Sequence, residues 1–425
     1  MRKILRGIGA VSILIILPFF ITTSCKQARE EAEPSTEIAK SELTPKEELG
    51  KSLFFDSNLS TPEGQACSAC HSPAAGWAGP DSAVNKSVAI YEGAVHGRFG
   101  NRKPPTASYA GDSPPLHQDE EGTFVGGMFW DGRASGEELG DPLAEQAMGP
   151  FLNPLEQNNP DKKNIILKIK DSHYADLFEK LWGKGSLDWE KDIEGTYERI
   201  ARSIAAFERS AEVNPFNSKF DDFWRNAKSK GLEVDFIEES NWTDYKNLGL
   251  GDEELEGLML FNTKGKCADC HVLTSENNNP PLFTDFTYDN LGVPKNPENP
   301  FCSMPEKWNP DGKDWVDKGL GGFLEGTEKY AKYAAENYGK QKVPTLRNVD
   351  LRPNEGFVKA FMHNGFFKTL KDVVHFYNTR DKEGADWPPP EVSENVNVDE
   401  MGDLGLTEIE EELIIKFMKT LSDRK

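Results

Sequence analysis

The sequence has little positive charge and few cysteines for its length. Its 425 residues include 49 Lys and Arg against 71 Asp and Glu, which gives a formal net charge of −22. Nucleic-acid binding depends on Lys and Arg that neutralise phosphates, so this balance argues against a nucleic-acid partner. The six cysteines do not form the dense pattern of a disulfide framework.

Long apolar runs are missing beyond the N-terminus. The apolar run over residues 8–21 follows a basic start and is too short for a confident membrane span, so it predicts an export signal. Small residues before Cys25 resemble a lipoprotein cleavage site. We therefore expect a signal peptide over residues 1–24, a flexible tether over residues 25–44, and a periplasmic protein whose only membrane contact is a lipid on Cys25.

No segment shows the alternation of a long strand, and the clear periodicities are helical. Residues 189–211 predict a packing helix whose apolar face holds Ile193, Tyr197, Ile200, Ile204 and Phe207. Thr407 and Glu410 predict a capping box for a C-terminal helix. Its apolar stripe is predicted to comprise Ile409, Leu413, Phe417, Met418 and Leu421. Together with 27 Pro and 37 Gly, this predicts a mainly α, loop-rich fold.

The most informative feature is a C-x-x-C-H motif that occurs twice. Its residues are Cys67, Cys70 and His71 in the first copy, and Cys267, Cys270 and His271 in the second. This is the attachment signature of a c-type haem, in which the thiols bond to the porphyrin and the His binds the iron. A zinc knuckle or a thioredoxin-like redox pair is the alternative. Two copies behind an export signal favour two covalently bound haems.

The duplication extends beyond the two motifs. Gly50, Leu53 and Phe54 precede the first copy, and Gly257, Leu260 and Phe261 precede the second. The copies are 200 positions apart (267 − 67). We therefore predict two related cytochrome c-like haem domains, over residues 45–235 and 236–425, with a linker in the acidic segment 231–242.

Further motifs give a resemblance to a known family. They are the FWDGR sequence at 129–133, the DPLAEQAMGP sequence at 141–150, NPLE at 153–156, VPTLRN at 343–348 and MHNG at 362–365. In this order, around two haem motifs, they resemble the bacterial di-haem cytochrome c peroxidase and MauG superfamily over roughly residues 45–425.

The resemblance implies unequal haems. The first would react with hydrogen peroxide and the second would handle electrons, with Trp130 between them. Gln146 and Glu156 match the polar groups beside the first iron, where a carboxylate can move the proton needed for O–O cleavage. Glu145 is a neighbouring alternative for that carboxylate.

The resemblance also suggests sixth ligands for the two irons. His96 matches a histidine that can bind the first iron and leave it on reduction, and His117 is a second candidate. At the second iron, Tyr377 matches the tyrosine of MauG-like enzymes, where peroxidases have methionine. A phenolate favours oxidised iron, which suits an enzyme that stores an oxidising equivalent. The alternatives at this position are His375, Met362 and Met401.

The substrate that supplies the electrons stays open. A peroxidase would take them from a small electron-donor protein, a cytochrome c or a cupredoxin, whereas a MauG-like enzyme would take them from a protein side chain. A third hypothesis is a di-haem electron-transfer cytochrome without peroxidase turnover. A homodimer is left open, and so is any role of Cys302 and of the long loop over residues 295–342, which could cover the second haem.

Calcium is a further cofactor that the resemblance implies. Related chains hold the ion between their domains with an Asn side chain, backbone carbonyls and water. Here the aligned position is Lys103, with Asn101 nearby, and residues 352–361 include extra residues beside the expected carbonyls. The sequence therefore leaves calcium in doubt.

Overall fold

Helices and the loops between them make up the computed structural model, which describes residues 42–275 and 278–424. The predicted signal peptide, Cys25 and nearly all of the tether lie outside these residues. Among the described helices, none has the length and apolarity that crossing a membrane requires.

The described residues form eleven α-helices and two short antiparallel ribbons. The helices are α1 (Pro45–Phe55), α2 (Ser82–Lys86), α3 (Pro142–Leu152), α4 (Lys162–Lys170), α5 (Ala175–Trp182), α6 (Ile193–Glu208), α7 (Lys219–Ser229), α8 (Asp252–Asn262), α9 (Gly319–Glu325), α10 (Leu370–Thr379) and α11 (Glu408–Lys419). One ribbon pairs β1 (His117–Gln118) with β2 (Phe124–Val125), and the other pairs β3 (Tyr288–Asp289) with β4 (Gln341–Lys342). The predicted mainly α, loop-rich class is confirmed.

In the first half of the chain, α1 crosses α6 at Gly50. Thr44 begins α1 with a capping box to Glu47, and Asp192 caps α6. A Cβ at Gly50 would collide with the backbone of Ser203, so only glycine lets the two helices approach this closely. Phe54 of α1 then packs against Phe207 of α6.

The second half repeats this crossing with α8 and α11. A Cβ at Gly257 would collide with the backbone of Leu413, just as one at Gly50 would collide with α6. The rings of Phe261 and Phe417 are 5.2 Å apart, and those of Phe54 and Phe207 are 5.5 Å apart. The two halves therefore share one packing scheme, and the predicted internal duplication is confirmed.

Two large clusters of buried side chains follow the two halves. One draws on residues between Leu49 and Val213, and the other on residues between Phe220 and Leu421. Helix α7, whose Phe220 and Phe223 belong to the second cluster, precedes the predicted boundary at residues 235 and 236. That boundary stays a prediction, as does the linker at 231–242.

The two predicted helices form, with two differences in detail. Helix α6 is shorter than residues 189–211, because Asp192 caps it at its N-terminus. Helix α11 has the predicted capping box from Thr407 and Glu410. The placement of Ile409 on its apolar stripe is wrong, since this side chain is 71% exposed. Ile409 lies in the first turn, ahead of the part of the helix that packs on α8.

The long loop over residues 295–342 contains structure of its own. It includes α9, whose Leu320 and Leu324 join Phe124 and Tyr288 in a third buried cluster. Asp317 pairs with Arg102 of the first half, where Nε and Nη2 each lie 2.6 Å from a carboxylate oxygen. The loop therefore fastens the second half to the first.

A fully buried ion pair supports the second half. Arg347 and Asp221 have no exposed side-chain area, and Arg347 Nη1 donates to Asp221 Oδ1 at 2.7 Å. The other oxygen of Asp221 accepts from the Ser218 backbone N–H at 2.8 Å and so caps α7. Buried charges of this kind are costly when one partner is lost.

Replacing Asp221 with Asn is expected to lower the free energy of unfolding by about 3–5 kcal/mol, because Arg347 keeps an unpaired buried charge. The matched control is Asp222→Asn, one position further along α7, which breaks the exposed pair with Arg424. Exposed pairs contribute about 0–1 kcal/mol. Denaturant unfolding of the haem-loaded protein measures both. Equal losses in the two variants would contradict this account of the buried pair.

Candidate functional site: two cavities that share a tryptophan

Each C-x-x-C-H motif lines its own cavity. The first cavity encloses about 1210 Å³ of free space and the second about 1750 Å³, both including space open to solvent. In each, the first cysteine begins a short 3₁₀ turn, over Cys67–Ala69 and Cys267–Asp269. This turn brings both thiols and the following histidine to one wall.

The proximal histidines are held by the same device in both halves. His71 Nδ1 lies 3.3 Å from the Trp77 carbonyl oxygen, and His271 Nδ1 lies 2.9 Å from the Phe283 carbonyl oxygen. Since a carbonyl only accepts, Nδ1 must be the donor, which makes Nε2 the unprotonated nitrogen that can ligate a metal. Both carbonyls come from residues in the left-handed region, with φ of 57° at Trp77 and 56° at Phe283.

These surroundings suit iron-binding histidines and covalently attached haem. Burial lowers the pKa of His71 to about 4 and that of His271 below its usual value, so both rings are neutral near pH 7. A neutral imidazole is the form that ligates. The four motif cysteines are free thiols rather than disulfides. The donor set and the space therefore fit two c-type haems.

The first cavity is also lined by acidic and amide side chains. Glu156 and Gln146 both line it, with Arg133 beside them. Glu156 Oε1 accepts from Asn153 Nδ2 at 2.7 Å. Burial raises the pKa of Glu156 above its usual range, although Arg133 opposes the shift. The structure thus brings both predicted catalytic side chains to the predicted cavity.

Glu145 binds the backbone of a loop. Its carboxylate accepts backbone N–H groups from Gly136, Glu138 and Leu139 at 2.6–2.8 Å, which ties down the preceding loop. Glu145 is absent from the residues that line the first cavity. Of the two carboxylates that the sequence offered, Glu156 is the one that lines the first cavity.

Trp130 lines both cavities. Its indole Nε1 donates to the Lys103 carbonyl oxygen at 2.8 Å, and the Lys103 N–H donates to the His363 carbonyl oxygen at 2.8 Å. The Trp130 carbonyl in turn accepts from the Lys342 N–H at 2.8 Å. The indole is therefore fixed between the two sites, as the prediction of an inter-haem tryptophan requires.

His96 is not placed at the first cavity. Its side chain is 98% exposed, and its Nδ1 lies 2.8 Å from Glu92 Oε1. His117 is also exposed and bonds the Pro115 carbonyl. The glycine-rich loop around residue 96 carries the predicted ligand to the surface, so this structure does not support either histidine as a sixth ligand.

Three of the four candidates for the second iron do line the second cavity, namely Tyr377, Met362 and Met401. His375 does not, because it points outward and bonds Glu411 at 3.0 Å. Burial raises the pKa of Tyr377, and the nearby Cys267 and Cys270 thiols act in the same direction. The phenol is therefore protonated at neutral pH.

Glu208 is a cavity residue that the sequence analysis missed. It is 5% exposed, lines the first cavity, and its Oε2 has no hydrogen-bond partner among the described residues. Burial raises its pKa to about 8. The sequence did contain a signal, since Glu208 follows Ile200 and Ile204 at a spacing of four on the apolar face of α6.

A mainly α fold with two duplicated haem-attachment sites defines a di-haem c-type protein. Residues 44–229 match the family model described as di-haem cytochrome c peroxidase. The chain is 30% identical to the methylamine utilization protein MauG of Paracoccus denitrificans, across 96% of this chain and 95% of that protein. It is 26% identical to the cytochrome-c peroxidase IdrP2 of a Pseudomonas species, across 88% of this chain and 80% of that one.

A solved structure agrees with these relatives. The diheme peroxidase BthA of Burkholderia thailandensis matches with a TM-score of 0.71 at 27% identity, covering 90% of this chain and 87% of that one. The chain belongs to the di-haem cytochrome c peroxidase and MauG family. It is therefore an oxidoreductase that carries two c-type haems and depends on peroxide.

Replacing Glu208 with Gln is expected to remove a pH dependence of stability. The folded wild type keeps the Glu208 proton up to about pH 8, whereas an unfolded Glu releases it near 4.5. The unfolded state thus binds fewer protons in this range, and wild-type stability falls as the pH rises by at most about 1.4 kcal/mol per unit.

The measurement compares denaturant unfolding of the haem-loaded proteins at pH 5 and pH 8. Glu208→Gln should gain stability relative to wild type as the pH rises. Glu198→Gln, on the same helix and paired with Arg202 near the surface, is the control and should follow wild type. A Glu208→Gln protein with the wild-type pH profile would show that Glu208 is ionised in the fold.

Proposed function

We propose that this protein reduces hydrogen peroxide in its first cavity with electrons that arrive from the second cavity past Trp130. The proposal rests on a difference between the side chains that line the two cavities, which share one wall. Trp130 lines both cavities, whereas Glu156 and Gln146 line the first alone. When bound, the haem irons supply the electron transfer to peroxide.

The side chains of the first cavity can manage the protons. Reduction of one peroxide to two waters consumes two protons and two electrons. The pKa of Glu156 is raised, and a hydrogen bond from Asn153 holds its carboxyl group in place. Glu156 can therefore move a proton between the two peroxide oxygens. The Gln146 amide offers a donor that orients the substrate. Glu208 is protonated near neutral pH and adds a second proton source in the same cavity.

A second candidate function is the MauG-like oxidation of a protein side chain. Tyr377 on the wall of the second cavity favours it, because a phenolate ligand would suit oxidised iron. Similar solved structures include a BthA variant in which a tyrosine is replaced by methionine. Absorption and EPR spectra that show methionine ligation at the second iron would rule this candidate out.

Which molecule supplies the electrons depends on which of the two candidate functions the protein has. The peroxidase function calls for a small electron donor, a cytochrome c or a cupredoxin, and the MauG-like function for a protein substrate.

We also propose export to the periplasm with a lipid on Cys25, since covalent haem attachment occurs outside the cytoplasm. The mass of the mature N-terminal peptide tests this, and an unmodified or uncleaved Cys25 would contradict it.

Replacing Glu156 with Gln is expected to slow peroxide reduction by about 10²–10⁴-fold, because the amide cannot transfer the proton. Both haems should remain, as a haem stain and the absorption spectrum would show. The matched control is Glu145→Gln, which should weaken the loop it holds, lower the unfolding midpoint and leave peroxide turnover near wild type. The reverse pattern would give the proton-transfer role to Glu145.

A further inference from the structure

A buried lysine joins the two halves of the molecule between the cavities. Lys359 is 7% exposed, and its Nζ donates to the carbonyl oxygens of Ala75, Asn348 and Leu351 at 3.0, 3.1 and 2.9 Å. Ala75 comes four residues after His71, whereas the other two carbonyls belong to the second half. The three donors of one ammonium group are thus all used, across the interface.

A second lysine stands nearby. Lys103 lies on the walls of both cavities, and its Nζ donates to the Pro104 carbonyl oxygen at 3.0 Å. Burial lowers the pKa of Lys359 to about 7, and the charge of Lys103 acts in the same direction. The bonded partners of both amino groups are uncharged carbonyls, and none of the hydrogen bonds in the described part of the chain joins either group to a carboxylate.

This arrangement does not fit the calcium ion that the resemblance implied. Convergent carbonyl oxygens from both halves are ligands of the kind that Ca²⁺ prefers. Here, however, the Lys359 ammonium group binds three such oxygens, and Lys103 stands at the position of the expected Asn. A divalent ion added beside two ammonium groups would be repelled by both.

We propose that Lys359 is a built-in cation of this protein, which binds the loop after the first haem motif to the second half where a calcium ion was expected. Lys103 adds to the same charge and excludes a metal ion. The site therefore requires no calcium, and its strength depends on the lysine side chain alone.

Lys359 also affects the first iron site, through the loop that it holds. Ala75 and Gly76 lead directly to Trp77, whose carbonyl fixes the His71 ring. At Gly76, with φ of 71°, a Cβ would lie 2.8 Å from the Asn348 carbonyl oxygen and 3.2 Å from Lys359 Nζ. The loop therefore packs closely against Lys359 Nζ and the Asn348 carbonyl oxygen, and Lys359 is a positioning residue for His71.

The first arm of the test uses the wild-type protein with both haems. It is incubated with CaCl₂, desalted and analysed for metal, and a second sample is treated with EGTA. We expect calcium far below one ion per chain, and no change in the unfolding midpoint or the haem spectra on chelation. Stoichiometric calcium, or a spectral change with EGTA that calcium reverses, would overturn the proposal.

The second arm uses Lys359→Met, which keeps the length of the side chain and removes its charge. We expect a lower unfolding midpoint and a shifted EPR signal for the first haem; the second-haem signal is recorded beside it, because Lys359 itself lines the second cavity. The control is Lys368→Met, because Lys368 Nζ also bonds carbonyls of both halves, at Ser87 and Gly365, but neither carbonyl belongs to the segment from His71 to Trp77. This control should leave the first-haem signal as in wild type.

Two results of the second arm would refute the role of Lys359. One is a Lys359→Met protein with wild-type midpoint and spectra. The other is the same first-haem shift in Lys368→Met, which would assign the effect to general loosening of the interface. If Lys359→Met does not fold, the calcium measurements on wild type still decide the proposal.

Discussion

The hydrogen bond from the Trp130 indole to the Lys103 carbonyl oxygen, 2.8 Å long, fixes the wall that both cavities share. Trp130 cannot rotate without breaking this bond, and Lys103 is held in turn by the His363 carbonyl. Arg102 pairs with Asp131, the neighbour of Trp130, at 2.5 Å and also with Asp317 of the long loop. One short segment therefore sets the separation of two sites that belong to different halves of a duplicated chain.

On either side of this wall, the duplicated halves have diverged in the chemistry of their side chains. Both keep the proximal histidine bonded to a strained residue, Trp77 or Phe283. The first cavity has gained carboxyl groups whose pKa burial raises, Glu156 and Glu208. The second cavity has Tyr377, together with Asp289, whose pKa burial also raises. Glu156 and Glu208 thus line the cavity where peroxide is expected, and Tyr377 lines the cavity where electrons are expected.

Sequence patterns were sufficient for the features that depend on local spacing. The haem motifs, the capping box of Thr407 and the matching positions of Gly50 and Gly257 ahead of the two motifs are all visible in local spacing. Ile409 was misplaced because periodicity alone does not show where a helix leaves its partner. His96 was matched to a motif, but the loop that carries it turns its side chain to solvent.

Other features depend on contacts between distant segments, which spacing does not encode. Lys359 and Ala75 are 284 positions apart, and their contact appears only when the two halves pack together. The positive φ shared by Trp77 and Phe283 likewise has no sequence signal, because the two residues differ in type and in distance from their motifs. Glu208 could have been found from its place on an apolar helix face.

The measurement that tests the account most directly follows the absorption of each haem when peroxide is mixed with the half-reduced protein, in wild type and in Trp130→Phe. The account predicts that in wild type the second haem responds together with the first. In the variant the first haem should still react, while the response of the second lags behind it. Equal rates at the second haem in both proteins would contradict the claim that electrons pass between the cavities by way of Trp130.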